Sequence, residues 1–177
     1  MKRILALILS LLLLIGLAAC KKAEDSDAAQ KNGESENAAF ETVSMYDLSK
    51  AMEDAAQFEK MNYRSSADDA PQDAFSYIST MDYEKIDAFF ITYASNKETP
   101  NADEICVIAV KNADDVGEAE ASLRAHREKR VAQYENYAPN QVEKVENALI
   151  FSHAQYAVLI ISDDNAPVRQ AFLDFVR

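Results

Sequence analysis

Two short segments that are apolar at every position constrain the fold most: residues 105–110 (ICVIAV) and 156–161 (YAVLII). Both are short and rich in β-branched residues, which predicts buried strands. A strand with one solvated face alternates apolar and polar residues, and these two do not. The second face of the predicted sheet must therefore be covered, either by the first helix of the chain or by another molecule.

Two further segments complete the predicted sheet. Residues 86–93 (IDAFFITY) and 148–152 (ALIFS) are aromatic or β-branched, and each precedes one of the apolar strands across a short turn segment. A long helix is predicted from about Asp114 to Tyr137, where Pro139 disfavours helix at the preceding residue. A last helix is predicted from Asp164-Asn165 onwards.

The order strand, strand, helix thus occurs twice, which suggests a degenerate ββα-ββα repeat. An additional N-terminal helix is predicted after Ser44, because Ser44-Met45-Tyr46-Asp47 has the form of a capping box. Residues 60–73 are predicted to be a polar loop, and residues 74–82 fit either a helical turn or an irregular segment. The predicted fold class is α+β: a four-stranded, mainly antiparallel sheet with helices packed on one face.

The N-terminus has the features of a bacterial lipoprotein signal peptide. Met1-Lys2-Arg3 is basic, residues 4–17 are almost wholly apolar, and Leu17-Ala18-Ala19-Cys20 has the form of a lipobox. The apolar run is shorter than the ~20 residues of a membrane-spanning helix. Cleavage is predicted between Ala19 and Cys20, with a diacylglyceryl group on the thiol of Cys20 and acyl chains such as palmitate anchoring the protein.

The chain is therefore divided into three parts. Residues 1–19 form the predicted signal peptide, residues 20–43 the lipidated cysteine with a disordered tether, and residues 44–177 a single α+β domain. This organisation places the domain at the cell membrane, on its extracytoplasmic face.

Charge and composition exclude several classes of function. The net charge is −12, and it would be −14 without residues 1–20, which carry two basic residues and no acidic one. Such a domain repels phosphate backbones, so nucleic-acid binding is excluded. Gly117 is the sole glycine of the predicted domain, which excludes a dinucleotide fingerprint and a phosphate loop.

Cysteine and histidine give no catalytic or metal-binding pattern. Cys106 lies within an apolar strand, where burial opposes thiolate formation, so it is predicted to fill the core. His126 and His153 have no metal-ligand spacing and are predicted to be solvent-exposed. The sequence therefore predicts no metal, no cofactor and no catalytic residue.

The acidic pairs and two arginines are the remaining candidates. Asp114-Asp115 and Asp163-Asp164 lie at predicted helix starts, which favours capping, whereas Asp68-Asp69 lies in a loop and is a weak candidate for any site. Arg127 and Arg130 face the apolar stripe of the long helix. Their methylene groups could cover the sheet edge, or their charges could form an ion pair or an anion-binding site at the surface. They are the weak surface-site candidates.

The chain resembles a family of small lipoproteins from Gram-positive (Firmicute) bacteria that is known only as a domain of unknown function. The resemblance covers roughly residues 44–177. Beside the lipobox and the ββα-ββα order, the local likeness lies in Asp103-Glu104-Ile105 at the start of a strand and in the helix that runs to Tyr137-Ala138-Pro139. It continues through Tyr156 to Asp163 (YAVLIISD). The resemblance implies a surface lipoprotein with an α+β domain and assigns no activity.

Two functions are expected. The first is a non-enzymatic interaction or accessory module of the cell envelope, which would bind a protein partner or a second copy through the face or edge of the sheet. The alternative is a lipoprotein that binds a small ligand or ion and serves a membrane transporter. A flat apolar patch would favour the first function, and a polar cleft would favour the second.

Overall fold

Five antiparallel strands form one sheet in the order β1-β2-β3-β5-β4. The computed structural model describes residues 43–95 and 99–177. The strands are β1 (Met61–Ser65), β2 (Ile86–Ala94), β3 (Glu104–Val110), β4 (Leu149–His153) and β5 (Tyr156–Ile161). The predicted signal peptide, Cys20 and nearly all of the tether lie outside the described residues and stay predictions.

Within the described residues, five helices accompany the sheet: α1 (Met45–Ala56), α2 (Pro71–Ile78), α3 (Val116–Tyr137), α4 (Val142–Glu146) and α5 (Asn165–Phe175). Single 3₁₀ turns precede β2, α3 and α4. The predicted starts of α1 and α5 are confirmed: Ser44 Oγ accepts from Asp47 N, and Asp164 Oδ1 accepts from Ala166 N. The predicted end of α3 at Tyr137 is also confirmed.

The prediction of four strands is wrong, because β1 lies in the segment that was expected to be a polar loop. Asn62 and Arg64 of β1 are exposed, whereas Ser65 is buried. An edge strand pairs on one side only, so it tolerates polar side chains that a central strand would not. The ambiguous segment that follows forms α2, with Pro71 in its first turn and Phe75 and Ile78 buried.

The helices lie on both faces of the sheet, so the prediction that they pack on one face is wrong. One face buries Cys106, Ile108 and Leu159 beneath α2, α3 and α4. The other face buries Val107 and Val158 beneath α1 and α5. Strands β3 and β5 are therefore apolar at every position because both of their faces are covered by helices of the same chain.

The two ββα units are not shown to be a repeat. Helix α3 packs on one face of the sheet, whereas α5 packs on the opposite face. The two-fold axis that relates neighbouring antiparallel strands is normal to the sheet. Rotation about such an axis keeps each element on its own side of the sheet, so a true repeat would have α3 and α5 on the same face. The shared order of elements is the extent of the similarity.

Cys106 has the predicted role. Its side chain lies in the middle of β3 with no exposed surface. Burial raises the pKa of the Cys106 thiol well above its usual value, which leaves the side chain neutral and inert.

Among the helices of the described residues, none is long and apolar enough to cross a membrane.

Candidate functional site

A carboxylate, an imidazole and a guanidinium are buried together between β3 and α3. Glu104 has no exposed surface, and His126 and Arg130 are 2% and 6% exposed. Nε2 of His126 lies 2.6 Å from Oε1 of Glu104, and Nε of Arg130 lies 3.0 Å from Oε2. The Arg130 contact is an ion pair without hydrogen-bond geometry, since neither atom has a hydrogen-bond partner. We call Glu104, His126 and Arg130 the buried charge cluster.

Periodicity explains why these three residues meet. Glu104 alternates with Cys106 and Ile108 along β3, so its side chain points to the face that α3 covers. His126 and Arg130 lie on the buried stripe of α3, between Leu123 and Tyr134. The buried charge cluster thus occupies positions where both patterns otherwise place apolar side chains.

Tyrosines complete the surroundings of Arg130. Nη1 donates to Tyr77 Oη at 3.2 Å and to Gln133 Oε1 at 2.9 Å, and Nη2 donates to Tyr134 Oη at 3.2 Å. Burial is the largest effect and acts to lower the pKa of Arg130, but the charge of Glu104 together with Tyr77 and Tyr134 outweighs it, so the pKa is raised. Arg130 therefore remains a cation inside the protein.

Arg130 of the buried charge cluster is among the predicted site residues, whereas His126 was expected at the surface. Arg130 forms an ion pair, as one of its two predicted alternatives stated, although the pair is buried rather than superficial. The prediction that His126 is exposed is wrong, because its position on the α3 stripe faces the sheet. Glu104 was not predicted as a site residue. Its alternation with Cys106 and Ile108 is the signal that would have placed a charge on the buried face of β3.

The remaining predicted residues lie elsewhere. Arg127 is half-buried on α3 and lines a shallow depression with Glu128 and Glu146. His153 is exposed in the hairpin, as predicted. Asp68 forms an ion pair with Arg64.

At the start of α3, capping differs from the prediction. Asn112, rather than Asp114 or Asp115, caps the 3₁₀ turn by accepting from Asp114 N. Asp115 instead forms an ion pair with Lys85 at 3.0 Å.

The segment at the start of β3 is held by hydrogen bonds to α3 and to the chain just after it. Tyr134 Oη donates to the carbonyl of Asn101 at 2.9 Å, and Gln141 Oε1 accepts from the N–H of Ala102 at 3.0 Å. Lys144 Nζ donates to Asp103 Oδ1 at 2.9 Å, and Glu104 follows in the buried charge cluster. Every residue of Asn101–Glu104 is thus fixed by α3 or by the chain just after it.

An open groove lies above this segment, at the end of the sheet. It consists of two adjoining depressions of about 490 and 710 Å³, both lined by Glu59, Asn101, Asp103 and Asp163. We call it the end groove. The carboxyl end of α1 and the start of α5 form one wall, and α4 forms the other.

Lys144 of α4 lines the end groove. Its ammonium group contacts Asp103 Oδ1 and Asp163 Oδ1, both at 2.9 Å, and Asn101 Oδ1 at 3.4 Å. Burial acts to lower the pKa of Lys144, but its hydrogen bonds to the two carboxylates outweigh this effect, so the pKa is raised. Lys144 is therefore charged at neutral pH.

The end groove has an excess of negative charge. The carboxylates that line it belong to Glu59, Asp103, Asp163 and Asp164, and the cations are Lys60 and Lys144. Across residues 43–95 and 99–177, no three histidine, cysteine, aspartate or glutamate side chains are grouped so that they could hold a metal ion. The arrangement suits hydrogen bonding to a polar molecule.

Replacement of Glu104 tests the energetic role of the buried charge cluster. Glu104→Gln is expected to lower the free energy of unfolding by about 3 kcal/mol, because it leaves the charge of Arg130 buried without its partner. The measurement is urea unfolding followed by circular dichroism. Glu135→Gln, at an exposed position of α3, makes the same chemical change and should alter stability by less than about 0.5 kcal/mol. Equal losses in the two variants would contradict the assignment.

The comparisons with known proteins define a family but no activity. A family model described as a domain of unknown function (DUF4358) matches residues 71–162. No curated protein and no solved structure matches the chain. The matched segment runs from α2 to just past β5, and it contains the buried charge cluster and the segment Asn101–Glu104. Because the match covers 92 of the 177 residues, the chain belongs to the DUF4358 family.

Proposed function

We propose that this protein is a non-enzymatic lipoprotein of a Gram-positive bacterium that binds a small polar ligand outside the cell. Acyl chains on Cys20 hold it to the membrane, and the end groove is the ligand site. The observation that carries the ligand proposal is the hydrogen-bonded floor of the groove, Asn101–Asp103. A lipoprotein of this kind would serve a membrane transporter by presenting its ligand at the membrane surface.

A rigid floor favours binding because the site loses little conformational entropy when a ligand is bound. The backbone of Asn101 and Ala102 and the side chain of Asp103 are each held by a hydrogen bond from α3 or the chain after it. The polar residues Asn101 and Asp103 line the open groove. Pre-organised polar groups in a concave surface are the usual basis of small-molecule recognition.

The covering of the sheet by helices favours a ligand over a partner on the sheet face. Helices α1 and α5 cover the face on which a partner was an option. Among the described residues, the large apolar side chains that are exposed are Tyr46, Tyr77 and Tyr137, which lie on three different helices. Single exposed aromatic residues are normal on a protein surface and do not form a docking patch.

The charges of the end groove favour a ligand that carries an amino group. Four carboxylates and two ammonium groups line it. Asp103 and Asp163 already contact an ammonium group, that of Lys144. A second ammonium group would be attracted by the remaining negative charge.

The anchor is tested at Cys20. Cys20→Ala removes the thiol that accepts the diacylglyceryl group, so the protein should be released from membranes or remain as an unprocessed precursor. Membrane fractionation and intact-mass spectrometry of the variant and the wild type provide the measurement. Detection of an acylated mature protein in the Cys20→Ala variant would contradict the proposed anchor.

The end groove is tested by thermal shift with a panel of small amines, amino sugars and diamines on the full chain in detergent. A ligand of the groove should raise the Tm of the wild type, since it binds only the folded state. Asp103→Asn should weaken this ligand about tenfold by removing a charged partner. Glu135→Gln is the charge-matched control and should not change the affinity. An equal response of both variants would show that the ligand binds elsewhere.

A second candidate function is the interaction module, and the edge strand β4 favours it. β4 carries no formal charge, and its Leu149, Ile150 and Phe151 are partly exposed. The two-residue loop after β4 makes His153 and Tyr156 the closing pair of the hairpin. The N–H and C=O groups of Ile150 and Ser152 therefore point away from β5, where another strand could pair with them.

Crosslinking in intact cells, with mass spectrometry of the captured proteins, tests the interaction module. An envelope protein captured reproducibly by the wild type should be lost in Ser152→Lys, because a lysine on an edge strand opposes pairing. Thr80→Lys adds the same charge at an exposed position after α2 and should leave the capture unchanged. Capture that survives Ser152→Lys would exclude the β4 edge as the interaction surface.

A further inference from the structure

A separate cleft of about 360 Å³ lies between α2 and the β1–β2 edge of the sheet. It is lined by Arg64, Asp73, Ala74, Tyr77, Ile91 and Tyr93, and we call it the tyrosine cleft. Its volume falls at the lower end of the range for small-molecule sites, roughly 300–1,000 Å³. None of its residues lines the end groove.

The floor of the tyrosine cleft is apolar, and two tyrosine rings line its sides. Ile91 on β2 is 2% exposed and forms the floor, and Arg64 on β1 is its cross-strand partner. Tyr93 follows two positions along β2 on the same face. Tyr77 of α2 is 51% exposed, so much of its side chain is accessible from outside. Aromatic side chains of this kind pack well against another ring.

Tyr77 is held in place by the buried charge cluster. Its Oη accepts from Arg130 Nη1 at 3.2 Å, and its ring meets that of His126 edge-on, with centroids 5.3 Å apart. Burial raises the pKa of Tyr77, so its phenol is neutral at neutral pH. The wall of the cleft is therefore a positioned ring rather than a freely rotating one.

Charges of opposite sign line the tyrosine cleft. Arg64 Nε donates a hydrogen bond to the carboxylate of Asp68. The donors on Nη1 and Nη2 of the guanidinium can pair with a second carboxylate. Asp73, at an exposed position in the first turn of α2, supplies a carboxylate. The hydrogen bond to Asp68 raises the pKa of Arg64, and Asp73 lines the same cavity as the Arg64 side chain.

We propose that the tyrosine cleft binds a free α-amino acid with an aromatic side chain. Arg64 would pair with the carboxylate, Asp73 with the ammonium group, and the ring would lie over Ile91 beside Tyr77 and Tyr93. A free amino acid carries both charges on one carbon atom, whereas either end of a peptide carries only one. This site is independent of the end groove.

Isothermal titration calorimetry on the full chain in detergent tests this site with three probes that share a phenyl ring. L-Phenylalanine carries both charges, phenethylamine lacks the carboxylate, and 3-phenylpropanoate lacks the ammonium group. L-Phenylalanine should bind about tenfold more tightly than either analogue, since each analogue loses one charge-assisted hydrogen bond. Absence of L-phenylalanine binding, or equal binding of phenethylamine, would overturn the proposal.

Two variants identify the site. Asp73→Asn should weaken L-phenylalanine about tenfold and leave 3-phenylpropanoate unchanged, because only the ammonium contact is lost. Asp54→Asn, at an exposed position of α1 on the opposite face of the sheet, is the matched control and should bind like the wild type. An unchanged affinity in Asp73→Asn would overturn the proposal. Asp103→Asn should leave L-phenylalanine binding intact, so failure at this cleft and failure at the end groove are distinguishable.

Discussion

The ion pair of Glu104 and Arg130 connects the sheet to α3, and each of its residues has a neighbour in one of the two candidate sites. Removing two charges from water costs several kcal/mol for each ion, so such a pair adds little net stability. The effect of the ion pair is to fix the positions of the groups next to it. Glu104 sets the start of β3 and with it the floor segment Asn101–Asp103, and Arg130 reaches Tyr77 at the tyrosine cleft. One buried contact therefore orders polar groups at two surfaces of the domain.

Helix α3 carries this connection because polar residues occupy the middle of its buried stripe. Leu123 packs in the apolar core, whereas His126 and Arg130 meet the carboxylate of Glu104. Tyr134 lies one turn further and donates to the backbone of Asn101. A helix that buried only apolar side chains would leave the carboxylate of Glu104 without the partners that it has on α3.

Local patterns were sufficient to predict most elements of this fold, and non-local contacts were not predictable. Strands β2, β3, β4 and β5 have strong apolar signals, and α1, α3 and α5 have clear caps or stops, so their bounds were predicted closely. Strand β1 was missed because it is short and half polar. The face that each helix covers depends on the path of the whole chain. Glu104 and His126 are 22 positions apart, so their contact could not be read from either segment alone.

The pairing of α1 with α5 has a consequence for the order of folding. These helices come from the two ends of the described chain, and together they cover the face that includes Phe90 and Val158. Phe172 lies in α5, so this face cannot be fully covered until α5 has been synthesised. A nascent chain would therefore carry a formed but half-open sheet, which is the state most exposed to aggregation and to chaperone binding. The family match ends before α5, so the segment it covers would share this vulnerability if it were produced alone.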